Sequence, residues 1–399
     1  MQTTNQQLIK STNMKTLFFL IQNQKACSRI ALAKATHLSK ATVSALVDEL
    51  IVRGYVLDCG AGISTTTGRK PNTLTVNGEK NYVAVFQWHR TWLNAALIGL
   101  SGNMIFEMRI SMDQNNDYVQ MTVKALHEDL EVYNPQAKIL GICIVVPAIV
   151  DEVSRRIVST VLEIDENNDI LQQLCNQLAD YPVAVLNDTA CHAYAECVSS
   201  DMRGVYHAYV NIGSGVGAVI LDHGHVFRAA NGMTTQFGHL SVDRNGPLCG
   251  CGNHGCLERV IGETYLYERS LKEGCEGLFD GEKQATFDLL GKLAAGGDER
   301  ACRLLDALAG DTAFAISNLI NMFNPQEVII GGRGMALGAL YLDAVKRDLS
   351  HMGFPLFTRR IKLRFSSLSK FSALKGAARY YIDHYYSFDE EMQNTLFIG

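Results

Sequence analysis

Hydrophobic positions in the first 80 residues recur at helical spacing and then give way to short extended runs. Met14, Leu17, Phe18 and Ile21 share one face of a helix over residues 13–22. Ile30, Leu32 and Ala33 form the inner side of a second helix that Ser28 can cap. After a turn at His37-Leu38-Ser39, Ser39 can cap a third helix over residues 40–53, with Val43, Leu46, Val47 and Leu50 facing inward. Gly54-Tyr55-Val56 opens a strand, residues 60–67 read as a polar turn, and residues 73–76 read as the returning strand. Three short helices and a hairpin predict a winged helix-turn-helix domain over residues 1–80.

From residue 82 onward strands alternate with helices. Hairpin strands are expected at 82–109, a helix at 118–133, a buried strand at 139–146, and a strand at 183–186 leading into a helix that contains 190–199. The hairpin pattern returns at 206–227, where Val210-Asn-Ile-Gly-Ser-Gly-Val matches Val85-Phe-Gln-Trp-His-Arg-Thr in position. Helices over 299–323 precede a strand at 327–330 that ends in Gly331-Gly332. A pattern used twice predicts two related α/β lobes.

Length and charge sharpen this division. The 399 residues suffice for two or three domains with real cores. The net charge of −5 is unevenly spread: residues 1–80 carry ten Lys/Arg and four Asp/Glu, giving +6, and the remainder carries 26 and 37, giving −11. A small basic module on an acidic body calls for an anionic partner for the module alone. Lys40, Thr42 and Ser44 stand near the exposed amino-terminal end of the third helix, where a recognition helix meets base edges. Arg69 and Lys70, in Gly68-Arg69-Lys70-Pro71, can touch phosphate or the minor groove from the hairpin. The partner that fits is a double-stranded DNA operator, read by paired modules on a homodimer or tetramer that assembles through the acidic body. An odd count of eleven cysteines, eight of them without framework spacing, a polar start and no apolar run of about 20 residues lead us to expect a cytoplasmic protein.

One segment carries metal chemistry. Cys249, Cys251 and Cys256 fall within eight residues, and His239 precedes the first by ten. Four soft or borderline ligands close a tetrahedral zinc site and leave no position for water, so a structural Zn2+ is expected. Glycines at 250, 252 and 255 allow a short backbone to wrap the ion. Spacing alone leaves His254 as a rival to His239.

The string Gly238-His239 followed by Cys-x-Cys-Gly-x-x-Gly-Cys-x-Glu258 resembles the signature of the ROK family, which contains bacterial sugar kinases and sugar-responsive repressors. The resemblance favours His239 as the fourth ligand. It implies an actin-like, ribonuclease-H-like ATPase fold over residues 81–399, with lobes at about 81–188 plus the carboxy-terminal helix and at 189–371. Leu-Ser-x-x-Thr-Val-Ser and Gly-Arg-Lys-Pro in the first 80 residues are similar to the family's repressors, whereas its kinases lack this extension.

The two hairpin turns differ in a way that bears on activity. Family kinases have Asp-x-Gly-Gly-Thr-Lys at the first turn; here Gln87, His89, Arg90 and Trp92 stand there and only Thr91 survives. A kinase needs the carboxylate for metal and phosphates and the glycines for close packing on nucleotide, so phosphoryl transfer is not expected. At the second turn Gly213, Gly215 and Gly217 are expected to leave backbone N–H groups open to a phosphate. The sugar side is better kept. Asn187-Asp188 matches the kinase Asn-Asp whose Asp is the general base, and His239 and Glu258 match further sugar-contacting positions. Gln236 replaces the usual Glu, Pro147-Ala148 replaces Pro-Gly, and Val161 replaces a common Asn. An amide accepts at one end and donates at the other, so the preferred hydroxyl pattern must change. The expected function is a DNA-binding repressor of carbohydrate-metabolism genes that senses a sugar or sugar phosphate. The alternatives are control by a sugar-transport partner protein and an active sugar kinase with a DNA-binding appendage.

Overall fold

Three helices open the chain, α1 (Gln2–Gln22), α2 (Arg29–Thr36) and α3 (Lys40–Val52), followed by an antiparallel pair, β1 (Val56–Ala61) and β2 (Asn72–Val76). The computed structural model describes residues 2–25, 27–61, 72–113, 117–151, 153–228, 235–368, 371–388 and 396–399. Ser28 and Ser39 cap α2 and α3 by accepting from the N–H groups of Ala31 and Thr42. Met14, Leu17, Phe18, Leu32, Val43 and Leu50 are buried between the helices and the pair, as their spacing predicts. Three details depart from the sequence expectation. Helix α1 starts well before residue 13. Ile30 lies 64% exposed in the first turn of α2 and leaves the inward position to Leu32. Strand β1 runs past Gly60, whose φ of +76° accommodates a bulge between Asp58 and Ala61. Arg69 and Lys70 lie outside the described residues.

Strands β3 (Asn81–Trp88), β4 (Trp92–Gly99) and β5 (Met104–Ser111) form an antiparallel meander. Helix α4 (Tyr118–Ala125) passes through a π turn at Leu126–Leu130 into α5 (Glu131–Tyr133), so the helix expected over 118–133 is present with one widened turn, across which Leu126 and Leu130 are both buried. Next come β6 (Lys138–Val146), a small hairpin of β7 (Ile149–Asp151) and β8 (Arg156–Val158), then α6 (Ile170–Gln177), β9 (Val183–Asn187) and α7 (Asp188–Ser199). A second meander follows: β10 (His207–Ile212), β11 (Val216–Asp222) and β12 (His225–Val226). Helices α8 (Leu257–Ile261), α9 (Leu266–Lys272), α10 (Phe287–Ala295) and α11 (Glu299–Phe323) lead to β13 (Glu327–Gly331). The chain continues through α12 (Gly338–Leu349), α13 (Pro355–Thr358), β14 (Lys362–Phe365), α14 (Ser372–Tyr380) and β15 (Leu396–Ile398). No helix among the described residues is long and apolar enough to cross a membrane.

Two compact units result: Met1–Val146 with Asp169–Leu186 and Ala377–Gly399, and Pro147–Asn168 with Asn187–Gly376. The hairpin β7–β8 and the pair Asn187-Asp188 thus belong to the second unit, although the sequence reading put them in the first lobe. The internal repeat is visible as two sheets of one order. The first runs β5-β4-β3-β6-β9, with β15 added beyond β9; the second runs β12-β11-β10-β13-β14. Strand β3 is buried along its whole length, which fits a strand covered on both faces.

In the second unit a buried ion network joins α7 to the sheet. Glu196, fully buried, accepts from Arg364 Nη1 at 2.7 Å, Ser366 Oγ at 2.6 Å and Ser200 Oγ at 3.1 Å. Arg364 Nε also donates to Glu327 at 2.7 Å. In the first unit α14 runs on through a π turn at Tyr381–Tyr385, and residues 386–388 then lie against α1 and β1.

Candidate metal centre and ligand site

His239 ends a single 3-10 turn after Gln236, and the three cysteines sit on a tight loop that closes on α8. The ligand atoms of His239, Cys249, Cys251 and Cys256 all lie within 4.8 Å of one another. Cys251 Sγ is 3.6 Å from Cys256 Sγ, and Cys249 Sγ is 3.6 Å from His239 Nδ1. A tetrahedral zinc with Zn–S bonds of about 2.3 Å separates its sulfurs by about 3.8 Å, so the donor set fits such an ion with little movement. Burial, then the two neighbouring thiols, holds Cys256 well above the usual thiol range, and a cation is what would let all three ionise together. His254 is not a ligand here. Its Nδ1 faces the Gly246 carbonyl at 3.1 Å and its own carbonyl accepts from Ser241 Oγ, so it braces the loop.

Two of the three loop glycines are required. Gly252 has φ +87°, and Gly255 has φ +59° with the Asp243 carbonyl where a Cβ would stand. Gly250 has only Thr160 near it, at 3.6 Å, and would accept a side chain.

The start of β11 gathers the sugar-site candidates. Val216 N–H donates to Glu258 Oε2 at 3.3 Å, and the Val216 carbonyl occupies the space a Cβ on Gly238 would need. A Cβ on Gly217 would meet Thr189 Oγ1 at 2.7 Å, and Thr235 Oγ1 donates to the Ala218 carbonyl at 2.6 Å. Asp188, Gln236, His239 and Glu258 are each on or beside one of these contacts. Asn187 caps α7 through the Ala190 N–H and donates to the Ala148 carbonyl at 3.2 Å. Asp188 Oδ1 accepts from the Thr189 N–H at 2.7 Å; burial nevertheless pushes its carboxyl up to about 6 although the residue keeps some solvent access. Burial also raises Glu258, against the opposing charge of His239 and the Val216 N–H. Gln236 is exposed.

At the second turn, expected to leave N–H groups open to a phosphate, one of those groups is bonded within the turn itself. Gly213 N–H donates to the Gly215 carbonyl at 2.9 Å, and a Cβ on Gly215 would come within 2.8 Å of Glu258 Oε2. Gly215 and Gly217 make room for Glu258 and Thr189. Gly331 and Gly332 likewise make room for Tyr209 and Asn211. The first turn is filled by its own residues. Trp88, fully buried, donates to Thr122 Oγ1 at 3.0 Å and stacks on Tyr118; His89 stacks on Trp92 at 4.5 Å, and Arg109 lies 4.0 Å over the Trp92 ring.

Lys40 and Thr42 are exposed at the amino-terminal end of α3, and Ser44 is half-buried there. Thr42 also has a structural duty, since its hydroxyl bonds Ser39 Oγ at 2.8 Å within the cap.

The ROK family profile matches residues 87–384. The chain belongs to the ROK family. A xylose repressor from Caldicellulosiruptor bescii is 29% identical to it over an alignment taking in 97% of this chain and 99% of that protein. A solved ROK family transcriptional regulator, described as a homologue of the E. coli MLC protein, has a TM-score of 0.78 and 25% identity, covering 94% of this chain and 97% of its own. A ROK family glucokinase from Streptomyces griseus, solved with glucose and AMPPNP, shares the fold at a TM-score of 0.60 and 22% identity, and takes in 75% of this chain and 98% of its own. The matches that run the length of the chain are to regulators, and this ROK protein is a transcriptional regulator of that kind.

Sequence reasoning passed over Thr189, Tyr209 and Thr235, which shape the ROK site from behind. Gly217 and Gly331, glycines within strands, were the available signal, because such a glycine marks a close approach.

Proposed function

We propose that this ROK regulator is a DNA-binding repressor of carbohydrate-metabolism genes whose second unit binds a sugar. One observation carries the reading: a capped helix with Lys40 and Thr42 exposed at its amino-terminal end shares a chain with a hairpin turn lined by Trp88, His89, Trp92 and Arg109. The helix offers Lys40, Thr42 and Ser44 to a DNA groove, with Arg69 and Lys70 for the duplex backbone. That turn has neither the carboxylate nor the room that a nucleotide needs, so the chain is a sensor and not a kinase. His239, Cys249, Cys251 and Cys256 hold a structural zinc. With all four positions taken by protein the ion would supply fold, not chemistry, and would orient Glu258, two residues beyond Cys256. His239 bound through Nδ1 keeps Nε2 for the ligand. Asp188 and Glu258 accept sugar hydroxyls, while Asn187 and Gln236 both donate and accept. Because a full-length relative is a xylose repressor, xylose is the first sugar to test, with glucose and other hexoses beside it.

Selection from random duplex DNA should enrich a two-fold symmetric site, and one sugar of the set should change the affinity for it. A selection that enriches nothing would remove the repressor reading. Sugar-dependent ATP turnover at about 1 per second or faster would make the chain a kinase instead.

Sugar binding should depend on Asp188 and on its ionisation. Asp188→Ala is expected to weaken binding by about 1–3 kcal/mol by leaving a buried hydroxyl unpaired. Burial raises the Asp188 carboxyl to about 6, and the ionised form is the acceptor, so affinity is full above that value and falls as pH drops through it. Calorimetry between about pH 5 and pH 8 should show this loss in the wild type and a smaller one in Asp188→Asn, where Glu258 is the remaining buried acceptor. Equal binding by wild type and Asp188→Ala would put the ligand elsewhere.

A further inference from the structure

The core formed by α1, α3 and β1 takes in a ring from the far end of the chain. Phe18 and Tyr55 are buried, and part of what covers them comes from Phe388, whose ring centroid lies 5.5 Å from that of Phe18 and 4.9 Å from that of Tyr55. The Tyr55 and Tyr386 hydroxyls are hydrogen-bonded to each other. Two cations fix the backbone of the segment: Lys15 Nζ donates to the Tyr386 carbonyl at 2.8 Å, and Arg53 Nη1 donates to the Phe388 carbonyl at 2.9 Å. Arg53 is the carboxy-terminal cap of α3, so the recognition helix is tied to this segment at its last residue.

The segment is anchored at its other side as well. Tyr386 N–H donates to the Tyr381 carbonyl at 2.8 Å, and Tyr381 Oη donates to the Leu140 carbonyl in β6 at 3.0 Å. Tyr381 lies where a Cβ on Gly141 would be. Tyr385 stacks on Phe397 of β15 and donates to the Ile398 carbonyl at 2.9 Å. β15 pairs in parallel with β9, the strand that ends at Asn187. A π turn at Tyr381–Tyr385 sets the direction of the segment, a feature often found where a helix has a functional task.

We infer that Tyr386 and Phe388 are positioning residues for DNA reading: they hold α3 in the orientation from which Lys40, Thr42 and Ser44 meet the bases. The inference rests on the repressor reading for its DNA arm only. Positive residues alone give non-specific binding, whereas base readout needs a fixed helix. Loosening the segment should therefore lower specific affinity and spare the rest.

The test uses the full chain with Phe388→Ala, Tyr386→Phe and the conservative Phe388→Tyr, against the duplex selected by the wild type and a scrambled duplex. Phe388→Ala should weaken the selected duplex at least tenfold and the scrambled duplex less than twofold, with metal content unchanged. Tyr386→Phe should give a smaller loss, and Phe388→Tyr should restore specific binding. Amide exchange is read in parallel and needs no DNA: residues 40–58 should exchange faster in Phe388→Ala and at the wild-type rate in Phe388→Tyr. Unchanged exchange over residues 40–58 overturns the inference whether or not the wild type binds DNA. Specific affinity within twofold of wild type overturns it too. A wild type that enriches no duplex, with exchange rising as expected, leaves the segment holding α3 and counts against the repressor reading instead.

Discussion

Cys256→Ala should strip the metal and destabilise the second unit by more than about 4 kcal/mol, the range in which metal loss is one of few mechanisms that reach. Cys256 is fully buried, faces Cys251 Sγ at 3.6 Å, and stands one residue before the helix that carries Glu258. Metal bound only in the folded state adds its binding energy to folding, so losing one of four ligands removes most of that contribution. Local bonds also hold the loop, among them Val242 N–H to the Gly255 carbonyl and Leu257 N–H to the Leu240 carbonyl, so the metal adds to a framework that is already bonded. It has two left-handed glycines, a few backbone hydrogen bonds and the His254 brace. Metal content by mass spectrometry and thermal unfolding should fall together, and the sugar response should go with them because Glu258 loses its anchor. Cys302→Ala, outside the cluster, serves as the control. A Cys256→Ala protein that melts with the wild type would show that the four side chains hold no ion.

Glu196→Ala should cost about 3–5 kcal/mol, the range for breaking a buried ion pair by removing one partner. The carboxylate is fully buried and receives three hydrogen bonds, from Arg364, Ser366 and Ser200. Its removal leaves Arg364 bonded to Glu327 and to the Phe365 carbonyl and empties the joint between α7 and β14. Each kcal/mol corresponds to about 2–4 °C for a domain of this size, so the melting temperature should drop by about 6–20 °C. Burial alone would raise the Glu196 carboxyl, but hydrogen bonds from Ser366 and Arg364 and the Arg364 charge hold it below the ordinary range. Its contribution is therefore present at neutral pH and lost as pH falls through the lowered value. Wild type and Glu196→Ala should converge in stability in acid; a gap that stays constant with pH would mean the loss is one of packing only.

Much of the architecture was legible because it is written in local spacing. The inward faces of α1 and α3, the caps at Ser28 and Ser39, and the two meanders follow from periodicity and capping, which act over a few residues. Ile30 misled because an eight-residue helix fixes its phase poorly, and Leu32 alone took the buried position. The side chains against Gly215 and Gly217 escaped the sequence because it cannot say which distant residue will come to lie on a glycine: Glu258 accepts from Val216, 42 positions away, and Thr189 accepts from Asn211, 22 positions away. The same limit hid the tie between Tyr55 and Tyr386, 331 positions apart. The cysteine cluster could be read because its ligands are nearly contiguous, and the choice between His239 and His254 could not, since it turns on which ring the folded loop points at the thiols.

The contact of Tyr55 with Tyr386 also sets an order in time. A ribosome adds about 5–20 residues per second, so the 331 positions between them take on the order of 20–60 s to make. During that interval Phe18 and Tyr55 have each other but not the Phe388 ring, and Arg53 has no carbonyl from residue 388 to bond. The part of the chain synthesised first is thus the last to be finished. On the proposal made for Tyr386 and Phe388, a nascent or prematurely terminated chain carries the basic helices without the segment that orients them.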